Sequence, residues 1–219
     1  MGPAPFHTRS IIAALLVTVA GAACSSATGG AAPTGPQPAI SAGRPYVAAD
    51  VHFMSMMVGH HAQAIEMSRL APTRAASNSV RILAERIINT QQDEIATLQQ
   101  WLRDRGQPVP EAHAMGAHAG HGAGHGAGHQ MPMHGMLSEA QMKQLEQAKG
   151  AEFDRLFLTY MIQHHRGGVV MVTELFGSTG AAQDETVFKM ASDINVDQTT
   201  EIARMQKMLA DLVFGSGSL

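Results

Sequence analysis

The feature that most constrains this chain is that it states one pattern twice. Met57-Val58-Gly59-His60-His61 returns as Met161-Ile162-Gln163-His164-His165, and each His pair is followed by a further methionine, Met67 in the first copy and Met171 in the second. Upstream, Asp50 and Phe53 stand at the offsets of Asp154 and Phe157. Downstream, Ile87, Gln91, Glu94 and Leu98 match Ile194, Gln198, Glu201 and Met205. Each copy therefore covers two segments of helical apolar period, as an internal duplication of a helix pair requires.

Helix geometry turns the repeated residues into chemistry. Residues three and four apart share one face, with about 5–6 Å between their Cβ atoms. Met57 therefore neighbours His60 and His61, and Met161 neighbours His164 and His165. Ala64 or Gly168 leaves room one turn on, and Met67 or Met171 closes the stripe. Each helix offers two imidazoles and two thioethers in a column. Imidazole suits copper, zinc and nickel, whereas thioether sulfur selects Cu(I). Methionine at helical spacing is ordinarily core filler, and a lone buried His is ordinarily a hydrogen-bonded core residue. The duplication and the doubled His favour a metal site, and copper fits both donors. Adjacent residues diverge by about 100° around a helix, so the two His of one pair need not serve one ion. Neutral imidazole is the ligating form, so affinity should fall below about pH 6.5.

The ends of the chain speak to destination. Arg9 precedes an apolar run, Ile11 to Ala20, of secretory length, and small residues follow. Ala22-Ala23-Cys24-Ser25-Ser26 resembles a bacterial lipoprotein cleavage site with Cys24 as the lipidated residue, although Gly21 stands where a branched aliphatic is usual. Cleavage after Ala22 or Ala23 by an ordinary signal peptidase is the alternative. The apolar run is too short for a retained membrane span. Cys24 is the only cysteine, so neither an internal disulfide nor a thiolate cage is available. These features predict a signal peptide over residues 1–23 and a Pro-, Gly- and Ser-rich tether over 24–45, placing the protein at the cell envelope. A formal charge of −3 excludes a nucleic-acid surface and gives no basic patch for anionic lipid.

The remaining chain reads as four helices, since 45% of residues are hydrophobic but only 5% are aromatic. The first runs from Val47–Asp50 to Leu70 and the second from Ser77 or Asn78 to Arg103. Gln91, Asp93 and Glu94 lie along the second as solvated positions, from which one could orient an imidazole. The third starts at the N-cap Ser138, with a possible interruption at Gly150, and reaches Leu175 or Phe176. The fourth spans Asp184 to Leu212. Between the pairs, residues 106–136 form an insert in which His113, His118, His121, His125, His129 and His134 alternate with Gly and Ala, flanked by Met115, Met131, Met133 and Met136. That much glycine disfavours a helix, and the tract reads as a metal-binding loop able to take Cu(II), Ni(II) or Zn(II), with its Met adding Cu(I). The alternative is a plain linker.

The fold expected is all-α: a ferritin-like four-helix bundle over 46–213 built from two duplicated hairpins, with a tail at 214–219. Di-iron bundles of this kind need Glu-x-x-His, which this chain lacks, so iron oxidation is not expected. The doubled Met-x-x-His-His segments, with Asp50 and Asp154 ahead of them, resemble the domain-of-unknown-function family 305, ferritin-like, exported helical proteins of which several are associated with copper binding and resistance. The resemblance covers about residues 46–213 and implies Met57, His60, His61, Met67, Met161, His164, His165 and Met171 as ligands. Gly167-Gly168-Val169-Val170 departs from the first copy, which should loosen the third helix after its His pair and make the two sites unequal. The function expected is an exported, lipid-anchored, non-enzymatic protein that buffers, sequesters or transfers copper, with a copper-handling protein as its candidate partner. Two others stand beside it: a copper-dependent envelope oxidoreductase, and a structural bundle with a non-selective His-rich loop.

Overall fold

A computed structural model describes residue 2, residues 45–112 and residues 134–214. The rest of the signal and of the tether, Cys24, residues 113–133 of the insert and residues 215–219 of the tail lie outside the described residues.

Among the described residues the chain is helical, with no strand and one isolated bridge between Ala75 and Gly150. Helix α1 is Ala48–Arg69, and a single turn, α2, covers Ala71–Arg74. Helix α3 is Asn78–Asp104, α4 is Glu139–Gln147, α5 is Gly150–Gly177 and α6 is Glu185–Phe214. Pro72 near the start of α2 ends the first long helix because proline cannot donate to the helix before it. Ser77 caps α3 by accepting from the Val80 amide, and Ser138 and Gln141 form a capping box at α4. Asp184 caps α6, its Oδ1 accepting from the amides of Thr186 and Val187. Gly150, at φ +63°, is the break between α4 and α5 that the sequence anticipates.

Helices α1 and α3 pack along each other as hairpin one, α5 and α6 as hairpin two, and α1 meets α5 between them. The core divides into two apolar clusters. One gathers Phe53, Met57 and Val58 of α1 with Met171, Val172 and Leu175 of α5, beneath Leu98, Trp101, Val187 and Ile194. The other gathers Met67 of α1 with Phe153, Phe157 and Met161 of α5, beside Leu83, Ile87 and Met205. The start of α1 thus shares a cluster with the end of α5, and the reverse, so these two helices run in opposite senses. Between the clusters lies a buried polar layer: His60, His61 and Gln63 of α1, Gln91 of α3, His164 and His165 of α5, Gln198 and Glu201 of α6.

Two buried aspartates stitch the hairpins together. Asp50 of α1 accepts from the Ala182 amide in the turn of hairpin two at 2.7 Å, and from the Val47 amide at 2.8 Å. Its counterpart Asp154 accepts from the Ser77 amide in the turn of hairpin one at 2.8 Å. Charge-assisted bonds of this kind are the stronger class. At one end Arg105 lies 4.2 Å over the Trp101 ring and 2.5 Å from Asp184, which also accepts from the Trp101 indole at 3.0 Å.

Candidate metal centre

The four paired imidazoles are 0% exposed. Their pairing runs across helices and not along them. His60 and His164 lie with ring centroids 3.8 Å apart and 33° between planes. Within a pair the rings are farther apart, 6.4 Å for His60–His61 and 6.2 Å for His164–His165. The column of donors along one helix therefore becomes an inner imidazole pair, one ring from each hairpin, and two outer imidazoles. This is the consequence of the 100° step between neighbours.

Each outer imidazole meets a carboxylate of its own hairpin. His165 Nε2 is 2.7 Å from Glu201 Oε2 in a hydrogen bond buried on both sides. His61 Nε2 is also 2.7 Å from Glu94 Oε2, at ion-pair distance but without hydrogen-bond alignment. Glu94 is 13% exposed at its side chain, and Gln91 is buried, so neither is the solvated position expected from the sequence. Nearby Asp197 titrates above its usual range, first because it is partly buried and then because Glu94 and Glu201 face it, with Arg86 opposing. Arg86 stands 3.7 Å from Glu201. The outer edge of the layer is thus rich in negative charge, an environment that favours a cation.

The inner pair is held neutral. Burial, then the neighbouring His61 and His165, lower the His60 pKa from 6.5 to about 3. Burial, then His60, His165 and His61, hold His164 well below its ordinary value as well. Proton competition at this pair therefore begins well below the pH 6.5 expected for an ordinary imidazole. Unpartnered buried nitrogens are abundant here: Nδ1 of His60 and His165, and both nitrogens of His61 and of His164. Buried polar atoms normally have partners, so such a concentration of bare nitrogen is an unusual feature of the core.

The four methionines flank this layer and are buried, Met57 and Met171 in one apolar cluster and Met161 and Met67 in the other. Each of the two clusters bordering the layer thus contains one of these methionines from each hairpin. Among the described residues no group of three or more His, Cys, Asp or Glu side chains is arranged to hold one metal ion. Imidazole and thioether together are the donors present, the mixture that suits a soft monovalent ion.

The return leg of the insert docks on the layer. His60 Nε2 donates to the His134 carbonyl at 3.1 Å. Gln63 and Leu137 exchange two bonds, the side-chain amide to the Leu137 carbonyl at 3.0 Å and the Leu137 amide to Gln63 Oε1 at 2.7 Å. The His134 ring lies at the surface, 2.9 Å from Glu174. Gly167 does not loosen α5, which runs unbroken through it. A Cβ there would come within 1.9 Å of the His134 carbonyl oxygen, so the glycine admits the docked backbone. At Gly168 a Cβ would meet Gln198 Oε1 at 2.1 Å. The sequence allows one of Gln91, Asp93 and Glu94 to orient an imidazole; the structure puts Glu94 there and adds its repeat match Glu201, while nothing local to Gly167 announces its long-range partner.

The profile of a family described as a domain of unknown function, DUF305, matches residues 50–209. A DUF305 structure from Streptomyces coelicolor is similar at TM-score 0.61 and 29% identity, covering 75% of this chain and 93% of that one. A DUF305 fragment from Deinococcus radiodurans has the same TM-score and identity over 76% of this chain and 99% of that one. CopM in its Cu(II)-bound form is 30% identical at TM-score 0.56, over 74% of this chain and 96% of that one, and CopM structures with Cu(I) and with silver are similar as well. No curated protein matches this chain.

Proposed function

This chain belongs to the DUF305 family, and from that premise we propose that it is a copper-binding protein of the cell envelope that holds Cu(I) in its buried His/Met layer. The observation that carries the reading is the layer itself: four buried imidazoles with bare nitrogens, flanked on both faces by buried methionines. Related CopM structures contain Cu(II), Cu(I) and silver, which are the ions that imidazole and thioether donors would take. Buffering, sequestration or hand-over follows from such a site better than catalysis does, because the layer is enclosed and thioethers favour holding Cu(I) over cycling it. The His/Met-rich insert would collect ions, and its docked end at His134 brings it against His60.

Export through the N-terminal segment and a lipid anchor on Cys24 complete the proposal. They rest on the sequence alone. Among the described residues no helix is long and apolar enough to cross a membrane.

The test is competition for Cu(I) against a chromophoric chelator, comparing the natural chain with a variant in which His60, His61, His164 and His165 are all alanine, each checked for helicity by circular dichroism. The variant should lose the tightest binding and retain only weak binding at the insert. Equal stoichiometry and affinity in two folded proteins would overturn the reading.

A further inference from the structure

We infer that Glu94 and Glu201 are positioning residues that fix the tautomers of His61 and His165, so that the nitrogen each offers to an ion is Nδ1. The inference rests on the copper reading and deepens it from residues to atoms. A carboxylate on the imidazole edge can only accept, so the nitrogen facing it must be the one that carries the proton. That nitrogen is Nε2 in both hairpins: hydrogen-bonded to Glu201 at 2.7 Å in hairpin two, and 2.7 Å from Glu94 without hydrogen-bond alignment in hairpin one, where a small ring rotation would close the bond. Neutral imidazole has one proton, so Nδ1 is left as a lone pair. Both Nδ1 atoms are buried and have no partner.

The arrangement recurs in both hairpins from separate residues. Glu94 of α3 and Glu201 of α6 are matched positions of the duplication, as are His61 and His165, yet each pair is made within its own hairpin. A packing accident would have to occur twice. An acceptor behind the ring also raises the electron density of the opposite nitrogen, which strengthens it as a ligand. The two contacts differ in quality, since His165–Glu201 is aligned and buried and His61–Glu94 is neither fully aligned nor fully enclosed. The stronger positioning therefore belongs to hairpin two.

Long-range proton–nitrogen NMR on the ¹⁵N-His-labelled full chain reads the tautomers directly, first without metal and then with Ag(I) as a diamagnetic probe. Without metal, His61 and His165 should each show Nε2 protonated and Nδ1 bare. With Ag(I), the Nδ1 resonances should move while Nε2 keeps its proton. Glu201→Ala should mix the His165 tautomers and weaken Ag(I) and Cu(I) binding by about 10–100-fold, the cost of losing an outer-shell partner. Glu201→Gln, whose amide oxygen can still accept, should restore most of both, and Glu94→Ala should do less than Glu201→Ala. Silver shifts at Nε2 in place of Nδ1, or tautomers unchanged in Glu201→Ala and Glu94→Ala, would overturn the inference and leave the copper reading standing. No shift at any of the four imidazoles with silver would overturn both.

Discussion

The two hairpins carry the same donors and differ in what surrounds them. In each, a His pair sits in the middle of a long helix, a carboxylate of the partner helix meets the second His, and an aspartate reaches across to the other hairpin's turn. Around this shared plan the residues diverge. Hairpin one has Gln63, which grips Leu137, where hairpin two has Gly167, against which the His134 carbonyl lies. Hairpin one has Ala64 where hairpin two has Gly168, filled by Gln198. The first difference seats the returning segment, Gln63 and Gly167 holding it on a single side of the layer, and the second admits the Gln198 side chain of α6. What has stayed the same is what an ion would touch, and what has changed is how the rest of the chain approaches it.

The largest effect should come with acid and should be common to both hairpins. His60 and His164 are neutral in the folded protein far below 6.5, while in the unfolded chain they take up protons near 6.5. The unfolded chain therefore binds more protons as pH falls below 6.5, so their contribution is complete above 6.5 and lost toward about 3, the folded value for His60. The slope is about 1.4 kcal/mol per pH unit for each imidazole. Urea denaturation of the metal-free protein at pH 7, 6 and 5 measures it, and His60→Gln or His164→Gln should each flatten it by a similar amount. A slope that only one substitution changes would break the symmetry of the inner pair, and one that neither changes would show that the pair is not what loses stability in acid.

Next in size is copper affinity. Replacing His60 and His164 together by alanine removes one inner ring from each hairpin and should weaken Cu(I) by on the order of 100-fold or more, beyond the range for an outer-shell loss. Chelator competition reads this, and an unchanged affinity would show that the inner pair is not where the ion sits. Smaller again is the aspartate comparison. Asp50→Ala should cost about 2–3 kcal/mol and Asp154→Ala about 1–2 kcal/mol, because Asp50 accepts from two amides and Asp154 from one. Equal midpoint shifts in urea would mean that the Val47 bond contributes nothing.

The smallest effect sharpens the divergence itself. Ala64→Gly, which gives hairpin one the residue of hairpin two, should cost about 1 kcal/mol of helix propensity together with the loss of one buried methyl group, under about 2 kcal/mol in all. Gly167→Ala should cost more, about 1–3 kcal/mol, because its methyl group would strike docked backbone and not a movable side chain. Thermal unfolding of the two variants side by side decides between these. A silent Gly167→Ala would show that the His134–Leu137 segment is not held against α5.

The helices, their breaks and the pairing of the repeats were legible in the sequence, because apolar period, Pro72, Gly150 and the caps at Ser77 and Ser138 all act locally. The family resemblance was equally legible, since the repeated motifs are short and contiguous. What escaped was whatever depends on the angle between neighbouring helices. That angle brings His60 to His164 and sends His61 and His165 to their carboxylates. Glu94 reads as a surface glutamate, and Gly167 as a weakness in a helix, until the layer is assembled around them.

The crossed aspartates have one further consequence. Each hairpin supplies the acceptor that the other's turn requires, by matched residues on matched helices, so the joint between them is self-complementary. A chain of a single hairpin, meeting its own copy about a two-fold axis, could close the same pair of bonds and assemble the same inner imidazole pair at the axis. The covalent tandem makes that encounter independent of concentration, and frees one of the two equivalent sides to evolve as a landing place for the insert.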